Sequence, residues 1–129
     1  AYVMPSRNAG RATLAAPLVY KNFGTGPWNS SLVVSNVGTD DVQVSLTFAN
    51  DPGMPAFNQT LSGFTVKAGQ SREFFLPNAD HLNGVVVPNG FKGSIRVVAT
   101  SSGTPLIAGL VQHTNNGRGV ATAYLAPAN

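Results

Sequence analysis

Apolar and polar residues alternate with period two along much of this chain, and no other feature limits its fold so sharply. In Val42-Gln43-Val44-Ser45-Leu46-Thr47-Phe48 the apolar side chains fall on one face and the polar ones on the other. That is the pattern of a strand with one face in a core and one in water. Ser31-Leu32-Val33-Val34-Ser35-Asn36-Val37 precedes it across Gly38-Thr39-Asp40-Asp41, so the two read as a hairpin. Further strands are expected over residues 18–23, 57–61 with 64–66, 71–76, 93–100, 105–113 and 119–125. Turn chemistry separates them at Gly24-Thr25-Gly26-Pro27, Asp51-Pro52-Gly53, Ala68-Gly69-Gln70, Pro88-Asn89-Gly90, Ser101-Ser102-Gly103 and Asn115-Asn116-Gly117. The register predicts that Val42, Val44, Leu46, Phe48, Ile95 and Val97 face inward.

Seven to eight short strands, turned every eight to twelve residues, predict an all-β chain: a single antiparallel β-sandwich of immunoglobulin-like type. The 129 residues amount to one domain. No eleven-residue window supports a helix, and a single turn near residues 78–82 is the only helical expectation. No internal repeat is present. The reading divides the chain into a sandwich over residues 17–129 and an N-terminal extension over residues 1–16, a candidate donor strand.

Composition narrows the function classes. Charged residues make up 10% of the chain, against about 25% in an ordinary domain. The 43% hydrophobic fraction is broken by 14 Gly and 9 Pro, which excludes a helical bundle, a coiled coil and a membrane-spanning helix. The formal net charge of +3 comes from Arg7, Arg11, Lys21, Lys67, Arg72, Lys92, Arg96 and Arg118, scattered singly. Nucleic-acid binding needs several cations on one face, so no nucleic-acid partner is expected. With no cysteine, disulfides and thiolate metal sites are unavailable. Solvation falls instead to 10 Ser, 10 Thr and 12 Asn, a habit of secreted bacterial β-proteins. Ala1 in place of Met fits a product trimmed after a small-residue cleavage site, although an excised segment would read the same. Secretion to the extracellular side or the cell surface is the expectation.

Two segments break the half-buried pattern. Leu106-Ile107-Ala108-Gly109-Leu110-Val111 and Val85-Val86-Val87 are apolar on both alternating faces. A central strand covered by a neighbouring loop would read this way, and so would a face covered by another subunit. The N-terminus is the other anomaly, because Tyr2, Val3, Met4 and Leu14 need a hydrophobic host that a solvated tail does not offer. The host is either the chain's own sandwich or the next molecule.

Trp28-Asn29-Ser30-Ser31-Leu32-Val33-Val34-Ser35-Asn36-Val37-Gly38 followed by residues 42–48 resembles immunoglobulin-like repeat domains of bacterial secreted and cell-surface proteins. So does Gly90-Phe91-Lys92-Gly93-Ser94-Ile95-Arg96-Val97-Val98 followed by Thr104-Pro105-Leu106-Ile107-Ala108. The likeness covers about residues 16–125 and consists of strand-and-turn patterns. It implies an exported β-sandwich acting as a spacer or adhesive module, often in tandem. A single domain with its own N-terminal segment departs from that arrangement and suggests noncovalent joining.

Catalytic chemistry finds little to stand on. The acids are Asp40, Asp41, Asp51, Glu73 and Asp80, and the imidazoles are His81 and His113. There is no Gly-x-Ser-x-Gly elbow, Ser94 lies in strand context, and Asp80-His81 adjacency does not define a triad. The chain is therefore expected not to be an enzyme and to need no cofactor. Asp40, Asp41 and Asp51 could hold Ca²⁺ if their loops converged, but turn initiation explains them, and no metal is expected. Asn29-Ser30-Ser31 and Asn58-Gln59-Thr60 match the glycosylation pattern and predict surface positions.

The leading expectation is a structural subunit that self-assembles head-to-tail into a filament or surface layer. The N-terminal segment would complete a neighbour's sheet by donor-strand complementation, with Tyr2, Val3, Met4, Leu14, Ile107 and Val111 as assembly residues. Its partners would be copies of itself. The alternative is a carbohydrate-binding or adhesive module using Trp28 with Tyr20 and Phe23, whose partner is a surface polysaccharide. Against it stands the expectation that Trp28 is a lone aromatic capping one end of the core. A passive spacer of a larger surface protein is the third reading.

Overall fold

The computed structural model describes residues 11–115, 119–124 and 126–127, and eight of its strands overlap the segments that the alternation predicts. They are β1 (Thr13–Lys21), β2 (Trp28–Asn36), β3 (Val42–Asn50), β4 (Gln59–Val66), β5 (Ser71–Phe75), β6 (Phe91–Thr100), β7 (Ile107–Asn115), β8 (Gly119–Tyr124) and the two-residue β9 (Ala126–Pro127). A 3-10 turn occupies Ala79–Leu82, capped by the Asn78 side chain accepting the Asp80 N–H. One sheet has the order β4-β3-β6-β1-β9 and the other β5-β2-β7-β8, with every pair antiparallel. The fold is an antiparallel β-sandwich, and the two inner faces enclose one core.

Val42, Val44, Leu46, Phe48, Ile95 and Val97 are all buried, as the alternation requires. Phe48 packs edge-on against Phe57 and Phe91 at ring separations of 5.1 and 6.3 Å. Phe64 of one sheet meets Phe74 of the other at 5.0 Å, and the Arg72 guanidinium covers both rings. These edge-to-face contacts add to the burial of the rings themselves.

Several sequence expectations are corrected. β2 and β3 do not form a hairpin: β2 pairs with β5 and β7, while β3 pairs with β4 and β6 in the opposite sheet. The linking residues arch between the sheets around buried Asn36. Its Nδ2 donates to the carbonyls of Asp40 and Val66, and its Oδ1 accepts the Gly38 N–H. The segments expected over 57–61 and 64–66 form the single strand β4. A bulge opposite Ser45 absorbs Ser62 and Gly63, and Gly63 takes φ 88°, which side chains resist. Phe57 buries its ring from the preceding loop.

The boundary at residue 16 also moves, because residues 13–16 belong to β1 and pair with β6. Arg11 bonds both ways to Ile107 before the chain crosses to the other sheet, and the Ala12 carbonyl accepts the Ala99 N–H. Leu14, 2% exposed, is therefore core in its own sandwich and not a donated residue. Ile107 and Val111 are corrected likewise. β7 lies between β2 and β8, and both side chains point into the core, 0% and 1% exposed. Residues 85–87 form no strand: Val87 is buried, Val85 packs on the core, and Val86 is 67% exposed. Tyr2, Val3 and Met4 lie outside the described residues.

The ladder between β2 and β7 runs from Trp28↔Asn115 to Asn36↔Ile107. At about 3.4 Å per residue those ends are roughly 27 Å apart. Arg11 beside Ile107 and Pro127 beside Leu14 place the beginning and end of the described chain at one pole. Trp28, Phe23 and Asn115 stand at the other.

Candidate functional site

The pole remote from the chain ends is built on the connection between β1 and β2. Phe23 and Trp28 exchange two backbone hydrogen bonds of 2.9 and 2.8 Å, which closes residues 24–27 into a tight loop. Asn22 enters it at φ 48°, a left-handed conformation that Asn tolerates better than most residues. Its backbone N–H donates to Asn29 Oδ1 at 2.7 Å, and Asn29 Nδ2 returns a bond to Asn22 Oδ1 at 3.1 Å. Asn89 Oδ1 accepts from Lys21 Nζ at 2.6 Å and from Asn22 Nδ2 at 2.8 Å, tying the loop to the start of β6. A loop braced on two sides is organised before any ligand arrives.

Beneath it, a clamp joins the two sheets. Ser30 Oγ accepts the Tyr20 N–H at 2.8 Å and lies 2.7 Å from His113 Nδ1. Burial holds the His113 pKa below the ordinary imidazole value, so the neutral ring is favoured. Ser30 Oγ and His113 Nδ1 share one hydrogen, which either group can donate. The pair has the spacing of a nucleophile and its base, but Ser30 is fully buried and Oγ is closed to substrate. Its work here is structural.

Tyr20, Phe23 and Trp28 do come together, each half-buried. Tyr20 stacks on Phe23 at 5.1 Å and 16°, meets the His113 ring edge-on at 5.1 Å, and lies 6.4 Å from Trp28 at a tilt of 41°. Trp28 is thus neither lone nor part of the buried core cluster, which corrects the core-cap expectation. Nor do the three rings share one plane. Lys92 Nζ approaches the Phe23 ring at 5.8 Å and lies 4.0 Å from Asp51 Oδ2, an exposed pair of little energetic weight.

Beside Trp28 is a cleft of about 210 Å³ lined by Thr25, Gly26, Trp28 and Asn115. Asn115, only 8% exposed, donates from Nδ2 to the Thr25 carbonyl at 3.0 Å. Its Oδ1 is buried and has no hydrogen-bond partner among the described residues. Buried acceptors are nearly always satisfied, and an orphaned one costs about 1–3 kcal/mol. Gly26 is required here twice over: its φ is 127°, and a Cβ would run into the Asn115 amide. Among the described residues the cleft offers an apolar ring wall beside the Asn115 amide, and Thr25, Gly26, Trp28 and Asn115 carry no charge. Sequence reading did not find Asn115 or the Ser30–His113 clamp. Trp28 and Asn115 are far apart in sequence and meet only because β2 pairs with β7.

The remaining candidates stay apart. Asp80 is exposed, while His81 Nδ1 accepts the Phe75 N–H at 3.0 Å and so closes a turn. Asp40 and Asp41 lie on the β2–β3 crossing, where Asp41 Oδ1 accepts the Ala68 N–H at 2.9 Å. Asp51 follows β3 at the opposite pole. Among the described residues no three His, Cys, Asp or Glu groups converge as metal ligands would. Glu73 accepts the Ser31 hydroxyl on the outer face of its sheet. In the two glycosylation-pattern sites, Asn29 is engaged with Asn22 and Ser31 is buried, while Asn58 is exposed. Among the described residues no helix is long and apolar enough to cross a membrane.

No family model and no curated protein matches the chain. Among solved structures it is similar to Thermotoga maritima 1070, with a TM-score of 0.66 and 15% identity, covering 92% of this chain and 96% of that one. It is also similar to the Anabaena sensory rhodopsin transducer, with a TM-score of 0.54 and 20% identity, covering 81% of this chain and 97% of that one. At such identities the likeness shows the fold alone, a two-sheet β-sandwich shared over nearly the whole of both neighbours.

Proposed function

We propose that this chain is a non-enzymatic, extracellular binding module that holds carbohydrate at the Trp28 pole. The observation that carries the reading is the Trp28-walled cleft with the Asn115 amide beside it, whose Oδ1 has no hydrogen-bond partner among the described residues. The C–H face of a sugar ring packs on indole, and side-chain amides both donate to and accept from sugar hydroxyls. The pole geometry supports it: a chain held at the Arg11 and Pro127 end presents the cleft outward. The scarcity of charge and the resemblance of residues 16–125 to surface-protein repeats favour an adhesive role on the cell surface, with polysaccharide as partner.

The fibre reading is less well supported. Leu14, Ile107 and Val111 are used in the chain's own core, which leaves it Tyr2, Val3 and Met4 alone. Two of the four edge strands are also poor templates, since β5 has five residues and β4 carries the Gly63 bulge.

Retention on insoluble polysaccharides tests the proposal, with wild type compared against Trp28→Ala. Retention that vanishes in the variant, while the melting temperature falls by only a few degrees, is the expected result. No retention of the folded wild type on a broad polysaccharide panel would overturn the carbohydrate reading.

A further inference from the structure

Resting on the carbohydrate reading, we infer that Asn89 is a positioning residue: it stands outside the cleft's lining, yet its side-chain oxygen sets the loop that carries Thr25 and Gly26. The tie is made of shared atoms. Asn89 Oδ1 accepts from the Nζ of Lys21, the last residue of β1, and from the Nδ2 of Asn22, the next. Asn22 passes the constraint on, since its Oδ1 and its backbone N–H both engage the Asn29 side chain. Asn29 belongs to β2 in the opposite sheet and pairs with Thr114 of β7. A line of side-chain amides thus runs from the turn before β6, past the entry of the loop, to the sheet that holds Trp28 and Asn115.

The turn that holds Asn89 is itself fixed. Gly90 N–H donates to the Lys21 carbonyl at 2.8 Å, and Phe91 N–H donates to the Pro88 carbonyl at 3.3 Å. Asn22 needs such a fixed partner, because its left-handed backbone at φ 48° persists only where the surroundings hold it. The Phe23–Trp28 backbone bonds close the loop on itself, and the Asn22–Asn89 bond fixes how its entry lies on the other sheet. Without that bond the Asn22 amide turns to water, and ordering the loop falls to the ligand, at a cost in affinity. Both bonds at Asn89 are accepted by one oxygen, and the Lys21 side chain it holds is buried. A carboxylate accepts the same two donors and attracts the ammonium more strongly, so Asp serves in this place and Ala does not.

Trp28 is the single tryptophan of the chain, so its emission reports the loop directly. Acrylamide quenching, and depletion binding to insoluble cellulose, chitin, xylan and starch, test the inference on wild type, Asn89→Ala and Asn89→Asp. Asn89→Ala should raise the quenching constant about twofold and weaken retention by roughly two- to tenfold, the worth of one hydrogen bond. Asn89→Asp should restore both. Wild-type quenching and retention in Asn89→Ala, with only its melting temperature lowered, would overturn the inference and leave Asn89 a structural residue. Failure of Asn89→Asp to restore either reading would overturn it as well. Quenching that changes as expected, with no chain retained on any of the four polysaccharides, would uphold the positioning of the loop and overturn the carbohydrate reading.

Discussion

Replacing Asn115 by Ala separates binding from stability more cleanly than any other change at the Trp28 pole. In the folded chain the Asn115 amide makes one bond, from Nδ2 to the Thr25 carbonyl, and leaves Oδ1 buried without a partner. Losing the bond costs about 0.5–1.5 kcal/mol, and removing an orphaned acceptor returns about 1–3 kcal/mol. Thr25 is exposed, so water takes over its carbonyl, and the vacated volume joins an open cleft that water fills. By these values the balance runs from a loss of about 0.5 to a gain of about 2.5 kcal/mol. For a chain of 129 residues that is a melting temperature from about 2 °C lower to about 10 °C higher, at roughly 3–5 °C per kcal/mol. Sugar binding should fall at least tenfold in the same variant. A residue kept at a cost to stability is what a binding site requires. Calorimetric melting and polysaccharide retention, run on one preparation, read both effects. A loss of more than about 2 kcal/mol would refute the reasoning, because Asn115 would then be a satisfied structural amide.

Phe48→Ala removes a ring 1% exposed from between Phe57 and Phe91 and should cost about 3–5 kcal/mol in guanidinium unfolding. A loss under 1 kcal/mol would contradict the packing. Deleting residues 1–10 should leave a folded sandwich by circular dichroism, because the pairing from Arg11 onward and the core stay whole. Deleting residues 1–16 should abolish folding, since Leu14, Ala16 and half the β1–β6 ladder go with them. The His113 pKa is lowered on folding by burial, so the unfolded chain takes up the proton first. Its contribution to stability is complete above the unfolded value of about 6.5 and is lost as pH falls through the lower folded value. Melting temperatures between pH 7 and 5 should therefore fall more steeply in wild type than in His113→Gln, and parallel curves would exclude His113 as the cause.

Local chemistry determined where the strands are. In β3 and β6 alternation is strong enough to set both position and inward face, because a one-residue slip would turn every apolar side chain to water. The 3-10 turn at Ala79–Leu82 is written in Asn78, whose side chain caps it. β1 was harder to read: its inward residues over the first turns are Leu14 and Ala16, and small alanines weaken the contrast between faces. Trp28, Tyr20 and Phe23 were readable as a local aromatic group because they flank one loop.

Which strand pairs with which was decided only by the tertiary structure. The connection after β2 looks like a hairpin turn in sequence, yet β2 is buried on both faces and needs neighbours on both edges. β5 and β7 supply them, so the chain arches across to begin β3 in the other sheet. The same pairing carries Asn115 to Trp28, where its Oδ1 is buried without a partner among the described residues. Alternation is a property of neighbouring residues and can be read one strand at a time. The site arises from a contact between strands distant in the chain, selected by how both sheets together bury their apolar faces.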